Sequence, residues 1–134
     1  MKRETRDSLM KTPVSTPTAP NPAGPYSQAV RAGGLLFLAG QIPINPATGD
    51  LVDGDIRVQA RQVLENLAAV LDAGGLSMAD VVRTTVFLSD MNDAPGMNEV
   101  YAACFPQPYP TRATVQVARL PRDVRIEIDA IAAY

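Results

Sequence analysis

Apolar residues recur at Ile56, Ala60, Val63, Leu64, Leu67, Val70 and Leu71, in steps of three and four. That spacing lays them along one stripe of an α-helix. Asp55 precedes the stripe as a helix-capping carboxylate, and Gly74-Gly75 ends it. Asp90 is expected to cap a second helix, with Met97, Val100, Tyr101, Cys104 and Phe105 on one face. Pro95 falls near its first turn, where a missing N–H costs little, and Pro106, Pro108 and Pro110 stop it. Short runs at 27–31 and 35–39 flank Gly33-Gly34 and predict a β-hairpin. Runs rich in Val, Thr and Ile predict further strands at 81–88, 112–118 and 124–132, and 40–54 is read as a long loop.

The resulting order is β-β-α-β-α-β-β, an α+β fold in which a mixed sheet carries two helices on one face. In the last strand Ile126, Ile128, Ala130 and Ala132 are expected to face the helices, with Arg125, Glu127 and Asp129 opposite. The strand at 112–118 is expected to behave alike, with Ala113, Val115 and Val117 inward and Arg112, Thr114 and Gln116 outward. The second sheet face is left to water or to partner subunits. Five of the twelve prolines lie in the first 25 residues, among Ser, Thr and Lys. Such a stretch buries too little apolar area to offset its ordering entropy. Residues 1–18 are therefore expected to be a mobile tail, and 19–134 a single domain.

Composition narrows the chemistry. The chain has 134 residues and no histidine, which removes histidine-based triads, histidine general bases and the usual imidazole metal sites. A single cysteine, Cys104, excludes an internal disulfide and any CxxC metal or redox motif, so no metal site is expected. Lys2, Arg3, Arg6 and Lys11 outweigh Glu4 and Asp7 in the first 24 residues, which leaves four net negative charges on the rest of a chain of net charge −2. A body of that sign is a poor phosphate binder, and no nucleic-acid partner is expected. No apolar run approaches a membrane span, and the N-terminus lacks the apolar core of a secretory signal. The expected location is the cytoplasm, with no membrane association.

Several short segments, in consistent order, resemble the reactive intermediate deaminase family, also called Rid or YjgF. They are Gly24-Pro25-Tyr26-Ser27-Gln28, Ala39-Gly40-Gln41-Ile42-Pro43, Gln59-Ala60-Arg61-Gln62 and Thr84-Thr85-Val86-Phe87-Leu88. Pro110-Thr111-Arg112-Ala113-Thr114 is the clearest, followed by Val117-Ala118-Arg119-Leu120-Pro121 and Ile126-Glu127-Ile128-Asp129-Ala130. The resemblance implies a chorismate-mutase-like fold assembled as a homotrimer, with sites between subunits. It implies cofactor-free hydrolysis of reactive enamines and imines, such as 2-aminoacrylate, to 2-keto acids and ammonium. A non-catalytic small-molecule-binding or chaperone-like member of the same fold is the alternative, against which Arg112 argues.

Arg112 is the first candidate, since a guanidinium can hold a carboxylate by two parallel hydrogen bonds. From its position alone it also reads as a solvated strand-end arginine, and the resemblance makes it the deaminase arginine. Glu127 is the candidate that deprotonates or orients the attacking water. The other reading of Glu127 is an ion pair with Arg125 or Arg119. Tyr26, Gly40 and Asn98 are candidate substrate-binding residues: a pocket wall, a backbone that a ligand can approach closely, and a polar group on the second helix. Thr114 stands where many relatives carry cysteine, which excludes a covalent role there and leaves a small polar contact. Cys104 is expected in the core.

Overall fold

The computed structural model describes residues 10–134. Helix α1 covers Ile56–Ala73, with the Asp55 carboxylate accepting from the Val58 N–H at 3.1 Å. At its C-terminus the Leu76 N–H reaches Leu71 O at 2.9 Å and the Gly75 N–H reaches Asp72 O at 2.9 Å. This closure requires a left-handed residue, which Gly75 supplies at φ 79°. All seven residues of the apolar stripe are buried, and so is one polar residue, Asn66. Helix α2 covers Ala94–Cys104. Asp90 does not cap it directly: its carboxylate accepts from Asn92 N at 2.9 Å and starts a 3-10 turn, Met91–Asp93, ahead of the helix. Pro95, in the first turn of α2, has no N–H to donate to such a cap.

The strands are β1 (Thr12–Val14), β2 (Ala29–Ala32), β3 (Leu35–Gln41), β4 (Val81–Leu88), β5 (Thr111–Gln116) and β6 (Ile126–Ala133). They form one sheet in the order β1-β2-β3-β6-β4-β5, antiparallel except for the β4–β5 pair. The hairpin between β2 and β3 turns on Gly33 and Gly34, both left-handed at φ 58° and 78°, as a two-residue turn of this hand requires.

One strand was not expected. The reading of residues 1–18 as a mobile tail is corrected from Thr12 onward, because β1 pairs with β2 and adds a sixth strand to the sheet. Ala19 is buried at 2% exposure, and the Gln28 amide binds three carbonyls of the preceding segment, those of Thr16, Ala19 and Pro20, at 2.9–3.3 Å. A proline-rich segment can thus be held by sheet-edge pairing and one buried amide without an apolar pattern of its own. The first part of that expectation, residues 1–9, lies outside the described residues.

The helices cover one sheet face, where Leu36, Val86, Leu88, Ile126 and Ile128 meet Val63, Leu67, Val70 and Leu71. Each large side chain so buried contributes about 1.5–3 kcal/mol. Strand β6 is oriented as expected, with Ile126, Ile128, Ala130 and Ala132 inward. Strand β5 is not. Parallel pairing sets Arg112 beside Thr84, Thr114 beside Val86 and Gln116 beside Leu88. Thr84, Val86 and Leu88 are buried beneath the helices, so Arg112, Thr114 and Gln116 share the helix side while Ala113 and Val115 turn to the open face. Alternation defines two faces of a strand; only its register with a neighbour says which is which. Phe37 and Val115 consequently stand exposed on that open face, at 43% and 40%, among polar residues that include Thr85, Glu127 and Asp129. Among the described residues no helix is long and apolar enough to cross a membrane.

Candidate active site

Arg112 sits at the start of edge strand β5, directly after Pro110 and Thr111. Its guanidinium lies over the Tyr101 ring at 4.7 Å from the centroid, with Nη1 3.9 Å from Met97 Sδ. Tyr101 is itself fixed: its hydroxyl pairs with the buried Thr84 hydroxyl at 2.7 Å, and its ring packs on Phe105 at 4.4 Å. Burial pushes the Tyr101 phenol up, opposed by the Thr84 hydrogen bond and the Arg112 charge, so it remains a neutral platform. Among the described residues Arg112 has no carboxylate partner. It fronts a cavity of about 430 Å³ lined also by Asn98, Tyr109 and Pro110. A guanidinium held by an aromatic face, its only side-chain acceptor among the described residues a weak thioether sulfur, suits a planar anion.

Tyr26, Gly40 and Glu127 share a second cavity, of about 550 Å³, whose floor includes Gln41, Ile42 and Ile44. The Tyr26 hydroxyl accepts from the Ala23 N–H at 3.2 Å, so the Gly24–Tyr26 turn braces its own ring. Gly40 occupies a register shift between β3 and β6, and its backbone runs against the Glu127 side chain. Bulges of this kind re-aim side chains beside functional sites. Glu127 is half-buried, and burial followed by the neighbouring Asp129 charge raises its pKa above the usual carboxylate value. The ion pair with Arg125 or Arg119 is not formed, since Arg125 binds Asp93 at 3.2 Å and Arg119 binds Asp123 at 2.8 Å.

The two cavities do not merge within one chain. Glu127 pairs with Phe87 on the open sheet face, whereas Arg112 pairs with Thr84 on the helix face. The structure therefore brings Arg112 and Asn98 together, and Tyr26, Gly40 and Glu127 together, as two separate half-sites. Thr114 follows Arg112 along the same face but does not line its cavity, and its hydroxyl is buried with no hydrogen-bond partner among the described residues. Cys104 is half-buried against the core, and burial pushes its thiol up, away from the reactive thiolate.

Sequence reasoning missed two buried amides that shape the second cavity. Asn66, at 1% exposure, donates to Ile44 O at 2.9 Å and Ile42 O at 3.4 Å, and accepts from Gln62 Nε2 at 2.9 Å. Gln28, at 3% exposure, fixes the opposite wall through its bonds to residues 16–20. A lone polar residue beside the apolar stripe was the available signal for Asn66. Asn66→Leu is expected to destabilise the protein by about 1–3 kcal/mol, because two carbonyls lose their buried donor. Denaturant unfolding measures it, and an unchanged midpoint and slope would contradict the assignment.

Comparison with known proteins identifies the family. A family model described as endoribonuclease L-PSP matches residues 16–134. The chain belongs to this family, also known as YjgF/Rid. Within the family it is 58% identical to a RutC family protein of Pyrococcus horikoshii, over 92% of this chain and 98% of that one. It is 47% identical to the 2-iminobutanoate/2-iminopropanoate deaminase of Dermatophagoides farinae, over 88% of this chain and 92% of that one. The crystal structure of Escherichia coli TdcF with bound serine superposes with a TM-score of 0.88 at 47% identity, covering 92% of this chain and 98% of that one. YjgF/Rid membership and the two-helix, mixed-sheet fold agree with the sequence reading.

Proposed function

We propose that this protein hydrolyses reactive enamines and imines of short 2-amino acids, such as 2-aminoacrylate, to 2-keto acids and ammonia. The observation that carries the reading is Arg112: an exposed guanidinium, stacked on Tyr101, without a carboxylate of its own, fronting a cavity. It would clamp the α-carboxylate of an imino acid through both arms of its fork, with Asn98 beside it; Thr114, whose hydroxyl is buried outside this cavity, takes no part in the clamp. Water would add to the imine carbon while Glu127 accepts or orients its proton. The carbinolamine then expels ammonia and leaves the ketone. Water is the only co-reactant of the proposed reaction, which is written without a cofactor or metal. Such imines hydrolyse unaided, and positioning with charge placement suffices for the acceleration required.

Arg112 and Glu127 point from opposite sheet faces, so the reading requires at least two copies, each supplying one half-site. The exposed Phe37 and Val115 on the open face support packing of that kind, and a homotrimer is the assembly proposed. The proposed location is the cytoplasm. RNA cleavage is disfavoured by a chain that carries no histidine and is acidic beyond its first 24 residues.

The decisive experiment generates 2-aminoacrylate in place with a serine or cysteine lyase, with semicarbazide as competing trap. Faster pyruvate release supports the reading; ligand binding without acceleration would favour the non-catalytic alternative. A pH profile tests Glu127. A base works as the carboxylate, so activity is expected to rise with pH through a pKa above the usual carboxylate value. Asp129→Asn keeps the oxygen that accepts from Thr85 N at 3.2 Å but removes the like charge, and is expected to move that limb to lower pH. An unmoved limb argues that another group titrates.

A further inference from the structure

Arginines stand at positions 119, 122 and 125, on the turn that leads into β6. Two of them are occupied. Arg119 holds both oxygens of Asp123, at 2.8 and 3.3 Å, and Arg125 holds Asp93 at 3.2 Å. Arg122, between them, has no ion pair among the described residues and lines the cavity of Tyr26 and Glu127. Its backbone is left-handed, at φ 55° and ψ 21°, and Asp123 follows at φ 57°. Two successive non-glycine residues in that region are costly, and such outliers concentrate where a side chain must be presented to a ligand. The 119–123 pair also keeps the nearest carboxylate in the turn from neutralising Arg122.

We infer that Arg122 is a second carboxylate-recognising group, and that it extends the substrate range to 2-imino acids with a carboxylate side chain, the 2-iminodicarboxylates derived from aspartate and glutamate. The inference rests on the deaminase reading. With Arg112 of one copy on the α-carboxylate, the remote end of the substrate falls in the cavity that the other copy builds from Tyr26, Glu127 and Arg122. There Arg122, exposed and without an ion pair among the described residues, supplies a two-pronged donor to an acidic side chain. The chemistry is unchanged: the oxygen of water becomes the keto oxygen, and the imine nitrogen leaves as ammonia with the two water protons.

Imines are generated from D-aspartate or D-glutamate with D-aspartate oxidase, and from D-alanine with D-amino acid oxidase, with catalase and semicarbazide present. The readout is the ratio of kcat/KM for the dicarboxylate imine to that for the alanine imine. Arg122→Gly is the informative variant, since glycine adopts φ 55° freely and the fold is relieved rather than strained. The ratio is expected to fall about 10- to 100-fold in Arg122→Gly, the loss of one charge-assisted contact, and to fall less in Arg122→Lys. A ratio unchanged in Arg122→Gly overturns the inference, as does a wild type that hydrolyses the alanine imine and not the dicarboxylate imines. A wild type inactive on all of them fails the deaminase reading itself, which is a different result.

Discussion

Arg112→Ala is expected to lower kcat/KM for 2-iminopropanoate by at least about 100-fold and to leave the melting temperature nearly unchanged. The two expectations follow from the same geometry. Arg112 is exposed at a sheet edge, and its contacts within the chain are the Tyr101 ring at 4.7 Å and Met97 Sδ at 3.9 Å. An exposed cation–π contact contributes only about 0.5–1 kcal/mol. Against a carboxylate the same side chain makes two charge-assisted hydrogen bonds, each worth about 1.5–3 kcal/mol. Removing the group therefore costs far more with substrate bound than in the free protein. Arg112→Lys separates charge from shape: the ammonium keeps the charge and loses the fork, so a partial loss is expected. Semicarbazide competition measures both variants, with thermal unfolding as the folding control. A folded Arg112→Ala protein of full activity would sink the proposed role.

The candidate residues can be named from the chain, but the way the fold groups them cannot. The α1 stripe is a local property: steps of three and four fix a helix face whatever the rest of the chain does, and all seven residues are buried. The facing of β5 is not local. Ala113 and Val115 alternate with Arg112 and Thr114, and nothing in that alternation says which set meets the helices; the parallel register with β4 decides it. The consequence is that Arg112 lies on the side opposite Glu127, so the proposed site is divided between two cavities. Strand β1 was hidden for a related reason. A three-residue edge strand draws its stability from backbone pairing and from the Gln28 amide, neither of which leaves a periodic mark. Asn66 and Gln28 act through buried carbonyls distant in sequence, and only their placement reveals them.

Gly40 gives the sharpest test of how the Glu127 half-site is built. A methyl group at position 40 would collide with Glu127 Oε2 and come within 3.0 Å of its Cδ and 3.1 Å of its Cγ. Those atoms belong to a side chain with three rotatable bonds, so Glu127 swings away before the backbone of β3 moves. Gly40→Ala is therefore expected to cost little stability and to lower kcat/KM about 10- to 100-fold, by displacing the group proposed to handle the attacking water. Glu127→Gln is expected to cause a loss of the same order, since the amide fits the space but accepts no proton. The pair forms a double-mutant cycle. If Gly40 matters because it makes room for Glu127, the double variant loses scarcely more activity than Glu127→Gln alone. Full additivity would mean instead that the absent side chain at position 40 leaves space for the substrate itself. The backbone bulge would then be part of the binding surface in its own right.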